Sequence, residues 1–129
     1  MTSDKNAPLM VVVVCGSRSW TNRDLIRRRL SALRAGSAVI TGNLPGADAI
    51  AREEAVQLGL EVLPADAVPG KLPEELIDWL FKLTARPAER LVLAFHENFM
   101  ASVDTARTVS IARDRGAAVE VITGDGSQE

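Results

Sequence analysis

Met10-Val11-Val12-Val13-Val14-Cys15-Gly16-Ser17-Arg18-Ser19-Trp20-Thr21 is the stretch that decides how this chain folds. Val11 to Val14 present no polar face, and β-branched residues favour extended backbone. A strand with apolar side chains on both sides needs cover on both sides, which is the position of a central strand in a parallel sheet. The apolar run, Leu9 to Cys15, is far short of the ~20 residues that span a bilayer. It ends at Gly16, where the chain can turn sharply and where a ligand can approach the backbone.

Outward from this strand, two kinds of segment alternate. Short apolar runs recur at Ala38–Thr41, Glu61–Leu63, Leu91–Phe95 and Val119–Ile122, bounded by Gly, Pro or Asn. Helical spacing fills the intervals: Leu25, Ile26, Leu30 and Leu33; Ala47, Ile50, Ala51, Ala55 and Leu58; Leu76, Ile77, Leu80 and Leu83; Val103, Ala106, Val109, Ile111 and Ala112. The order β-α-β-α-β-α-β-α-β predicts an α/β fold, a Rossmann-like three-layer sandwich around a five-stranded parallel sheet. Right-handed crossovers leave few topologies, and 3-2-1-4-5 puts the valine strand at the centre. Ligands in such sheets bind beyond the carboxyl ends of the strands, where the strand order reverses. One domain is expected over residues 9–123, with flexible tails at 1–8 and 124–129.

Apolar residues make up 47% of the 129 residues and charged residues 25%, so a sizeable core can be buried. The polar N-terminus carries no secretory signal, and a single cysteine, Cys15, allows no internal disulfide. A cytoplasmic location without membrane attachment is the matching expectation. The net charge of −2 argues against a protein that coats nucleic acid. The charge is uneven, however: residues 1–36 carry +5 and residues 37–85 carry −5. A locally basic end of this kind can serve an anion.

Four segments offer chemistry. Gly16-Ser17-Arg18-Ser19 supplies a tight turn, two hydroxyls and a planar guanidinium fork suited to phosphate. Thr21 followed by Asp24 has capping-box spacing for the next helix, whose N-terminus would attract an anion. Thr41-Gly42-Asn43-Leu44-Pro45-Gly46-Ala47-Asp48 is a glycine-bearing loop with neither the Walker nor the Gly-x-Gly-x-x-Gly pattern. Asp48 falls in a first helical turn, where interaction with the helix dipole is reason enough for a carboxylate. Asp66 follows the third strand, where an acid can accept from ribose hydroxyls or simply face solvent. His96-Glu97 follows the fourth strand. Ser102 is placed to cap the fourth helix, with Thr105 in its first turn. One histidine and one cysteine make a zinc site improbable. No metal or cofactor is implied. Cys15 reads as a buried, inert thiol rather than the partner of His96, and Arg27-Arg28-Arg29 reads as a solvated helix face.

Gly16-Ser17-Arg18-Ser19-Trp20-Thr21, then Thr41-Gly42-x-x-x-Gly46-Ala47-Asp48-x-x-Ala51, then Pro64-Ala65-Asp66, resemble the YspA-like, cpYpsA-related branch of the SLOG superfamily. The DNA-processing protein DprA and the LOG phosphoribohydrolases are more distant relatives of that branch. The resemblance implies a Rossmannoid fold and a site for nucleotides or derivatives such as ADP-ribose. It carries Gly16, Ser17, Arg18, Gly42, Gly46 and Asp48 as pocket residues. The sequence departs from the family pattern in several places. Asn43 stands where relatives often have glycine, and Ala67 where they often have tryptophan. Asp104-Thr105 stands where they often have Gly-Thr. The LOG signature Pro-Gly-Gly-x-Gly-Thr-x-x-Glu, which supplies the catalytic glutamate, is missing.

The sequence thus supports a nucleotide-binding or sensor domain, with Gly16, Ser17, Arg18, Gly42, Asn43, Gly46, Asp48, Asp66, Ser102 and Thr105 as candidate ligand contacts. A hydrolase or transferase acting on an N-glycosidic bond is the first alternative. Asp66 and Glu97 are its candidate acids, because acids at helix starts tend to stay ionised. DprA-like binding of single-stranded DNA is the second. It would need stacking aromatics, and these make up 4% of the chain, with Trp20 beside Arg18 the one suggestive pair. Tight DNA binding is not expected. A phosphorylated small molecule is the expected partner, with homo-oligomerisation open.

Overall fold

The structure, a computed structural model, describes residues 10–41, 45–63, 73–85, 89–96 and 103–123. Among these residues the elements run β1 (Val11–Gly16), α1 (Arg23–Ser31), β2 (Ala38–Thr41), α2 (Ala47–Gln57), β3 (Glu61–Leu63), α3 (Pro73–Leu83), β4 (Arg90–Phe95), α4 (Val103–Asp114) and β5 (Ala118–Ile122). All strand pairs are parallel and the order is β3-β2-β1-β4-β5. The fold is the Rossmann-like α/β sandwich that the valine strand demands.

β1 shows why. Its side chains alternate between two layers, and each layer is covered. Val12 and Val14 pack with Ile26 and Leu30 of α1 and with Ala47, Ala51 and Ala55 of α2. Val11 and Val13 pack with Ile77 and Leu80 of α3 and with Ala112 of α4. Small alanines on α2 let that helix lie close over β1 and β2. β1 pairs with β2 on one side and β4 on the other, so the strand order reverses at the carboxyl ends of β1 and β4.

The start of α1 differs from the capping box expected at Thr21. Asn22 is the N-cap, and its side chain accepts from the Leu25 backbone N–H at 3.3 Å. The cause lies one residue earlier. Trp20 is buried in the core and its indole N–H donates to the Asn22 carbonyl at 2.8 Å, which fixes the chain's approach to the helix.

The arginine run on α1 is exposed at Arg27 and Arg28, and two of its members also make ion pairs. Arg27 donates to Glu54 of α2 at 2.7 Å, and Arg29 makes a two-point contact with Glu120 of β5, both distances 2.7 Å. Arg28 is exposed, as expected. With Arg23, which reaches Glu53 and Glu54, these residues explain the uneven charge along the chain. Two basic side chains of the first segment, Arg23 and Arg27, face the acidic second one across the α1–α2 seam.

On the opposite face of the sheet, the Phe81 ring of α3 lies under two guanidinium groups. Arg90 at the start of β4 sits 4.1 Å from its centroid, and Arg115 just past α4 sits 4.2 Å away. This cluster ties α3, α4 and β4 together at the amino end of β4. Among the described residues, no helix is long and apolar enough to cross a membrane.

Candidate functional site

The β1–α1 turn is stitched to two other elements by backbone hydrogen bonds. The Ser17 N–H donates to the Phe95 carbonyl at 2.9 Å, and the Ser17 carbonyl accepts from the Ala47 N–H at 3.0 Å and the Trp20 N–H at 3.3 Å. The carboxyl ends of β1 and β4 and the start of α2 therefore meet at Ser17. The glycines are required by this closeness. A Cβ on Gly16 would stand 2.1 Å from the Phe95 carbonyl oxygen. Gly46, with φ +82°, would bring a Cβ to 2.3 Å from the Ser17 carbonyl oxygen. In both places the position a Cβ would take is occupied by the protein's own backbone. The Ala47 N–H, at the first turn of α2, is likewise engaged by Ser17.

Above this stitching a groove of about 430 Å³ runs between the β1–α1 turn and the first turns of α2. Arg18, Ser19 and Trp20 form one wall, and Gly46, Ile50 and Glu53 the other, with Arg23 between them. Ser19 is oriented locally: its N–H donates to the Ser17 hydroxyl at 3.0 Å, and the two hydroxyls lie 2.8 Å apart. Trp20 contributes its buried ring, 2% exposed, held edge-on to Phe95 at 5.6 Å between centroids. Packed in the core in this way, the indole is not presented for stacking on a nucleic-acid base, which removes the aromatic that the DNA-binding reading relied on.

Charge in and beneath the groove is unequally paired. Arg23 donates to Glu54 at 2.7 Å and to Glu53 at 2.8 Å, and Arg27 donates to the other Glu54 oxygen at 2.7 Å. Glu54 is 1% exposed, and the hydrogen bonds from Arg23 and then Arg27 hold its carboxyl below the usual carboxylate range. Arg18, by contrast, is exposed, and among the described residues its guanidinium has no carboxylate partner. Sequence reasoning singled out Arg18 and missed Arg23, Glu53 and Glu54. Their contacts join residues about thirty positions apart, which local pattern does not reveal.

The remaining candidates divide clearly. Asp48 lies in the first turn of α2, as expected, and is 7% exposed. Cys15 has its thiol pushed up to about 12, first by burial and then by the charge of Asp48, so it is protonated and inert at neutral pH. Thr105 is buried in the first turn of α4. His96 is buried, and its backbone N–H donates to the Ile122 carbonyl at 3.0 Å. Thr41, the last residue of β2, is fully buried, and among the described residues its hydroxyl has no hydrogen-bond partner, a feature the sequence did not signal. Gly42, Asn43, Asp66, Glu97 and Ser102 lie outside the described residues.

The sequence model of the YspA, cpYpsA-related SLOG family matches residues 10–67. That stretch belongs to the YspA-like branch of the SLOG superfamily. It runs from β1 past β3 and contains every residue that lines the groove. This match over residues 10–67 is consistent with nucleotide-related binding or sensing. No curated protein and no solved structure shows a significant match to the chain.

Proposed function

We propose that this SLOG protein binds a phosphorylated, nucleotide-like small molecule in the groove between the β1–α1 turn and α2, with Arg18 as the residue that takes the phosphate. The observation that carries this reading is the state of Arg18. Its neighbours Arg23 and Arg27 are held by carboxylates, whereas Arg18 has none among the described residues and opens onto the groove. A guanidinium in that state is a planar donor fork for phosphate oxygens. The Ser19 and Thr21 hydroxyls beside it add donors, and the apolar surface of Ala49 and Ile50 suits an uncharged ring. Binding and sensing are the function proposed, rather than turnover.

The test is isothermal calorimetry with AMP on wild type and Arg18→Ala. Arg18 is exposed and its loss leaves the core intact, so the variant keeps its thermal stability. A charge-assisted contact contributes roughly 1.5–3 kcal/mol, which predicts a loss of about tenfold or more in affinity. Equal affinities for mutant and wild type would rule out the assignment.

A further inference from the structure

Glu53 is an unexpected residue in a groove meant for an anion. It lines the groove with Arg18 and Arg23, and its side chain is 59% exposed. One carboxylate oxygen, Oε1, accepts from Arg23 at 2.8 Å. The other, Oε2, has no partner among the described residues. The charges can be counted by group. Arg23, Arg27, Glu53 and Glu54 form one connected cluster of two cations and two anions, and it is neutral. Arg18 is then the single uncompensated charge lining the groove among the described residues.

This arrangement has a direct consequence for the ligand. One phosphate on Arg18 is matched by one guanidinium. A second or third phosphate brings further negative charge, for which the described walls of the groove supply no free cation. Arg23 cannot turn to meet it without taking the donor from Oε2 of the buried Glu54 carboxylate, whose other oxygen alone is held by Arg27, and a buried acceptor stripped of its donor is costly. The free oxygen of Glu53 would meet any such phosphate with like charge, and repulsion of this kind is how a site rejects a near-relative of its ligand.

Building on the binding site proposed above, we infer that Glu53 is a specificity determinant that limits the ligand to a single phosphate group and disfavours di- and triphosphates. The carboxylate acts in two ways. It places negative charge on the groove wall, and it holds the Arg23 guanidinium in the neutral cluster, away from service as a second phosphate clamp. Glu53→Gln keeps the shape, removes the charge and reduces the Arg23 ion pair to a hydrogen bond on a neutral acceptor. Both effects favour more highly charged ligands.

The experiment measures AMP and ATP affinity by calorimetry in EDTA-containing buffer at one fixed ionic strength, for wild type and Glu53→Gln, with circular dichroism confirming the fold. Wild type is expected to bind AMP more tightly than ATP. Glu53→Gln is expected to shift the ratio roughly fivefold towards ATP, the upper size of an exposed charge–charge interaction. ATP binding as tightly as AMP in wild type, or an unchanged ratio in the variant, overturns the role of Glu53 while leaving the binding site itself standing. Failure of wild type to bind either nucleotide overturns both.

Discussion

Gly46 shows how one residue fixes the geometry of the site. Its φ of +82° is in the region that side chains rarely adopt, and the place where a Cβ would stand is occupied by the carbonyls of Ser17 and Arg18. Alanine there incurs both backbone strain and a steric clash with backbone, neither of which can relax by rotating a side chain. Each effect costs about 1–3 kcal/mol. Gly46→Ala is therefore expected to destabilise the protein by roughly 2 kcal/mol or more, read as a lowered midpoint in urea unfolding. A midpoint equal to that of wild type would mean that the turn is not as closely packed as described. The sequence flagged Gly16 and Gly46 correctly as special. It could not say whether ligand or protein fills the space beside them, because the Phe95 and Ser17 carbonyls arrive from distant points in the chain.

At the scale of elements, α1 and α2 are joined by more than apolar packing. Glu54 is buried at their seam between Arg23 and Arg27, and its carboxyl is held below its ordinary value of 4.5. A carboxyl with a depressed folded-state pKa adds stability above its unfolded value, and that stability is lost as pH falls through the folded value. Glu54→Gln is expected to melt below wild type at neutral pH, and the gap is expected to narrow as pH drops below about 4.5. A gap that stays constant into acid would show that the loss comes from packing alone. Local pattern revealed the helices themselves through their 3.6-residue spacing. It did not reveal their electrostatic seam, and it placed the α1 cap at Thr21 rather than Asn22, because the pull of the buried Trp20 on the Asn22 carbonyl is a matter of tertiary packing. The ion pairs of the arginine run escaped it for the same reason: the Glu120 that engages Arg29 lies on a strand ninety-one residues away.

For the whole molecule, topology followed from the sequence because few arrangements can bury Val11 to Val14 on both faces while keeping crossovers right-handed. The strand reversal at β1 and β4 locates the functional edge, and the Ser17 hydrogen bonds to Phe95 and Ala47 gather that edge into one place. The described groove, however, lies to one side of the reversal point, on the α1–α2 face rather than between β1 and β4. Charge pairing across the seam engages Arg23 and Arg27 and leaves Arg18 at the groove. The most direct test of that account is a titration of the ¹⁵N-labelled protein with AMP, followed by amide chemical shifts. The account predicts that the largest changes fall on residues 18–23 and 46–53, with the α3–α4 face undisturbed. Changes centred on the Phe81, Arg90 and Arg115 cluster, or no saturable change at all, would contradict it.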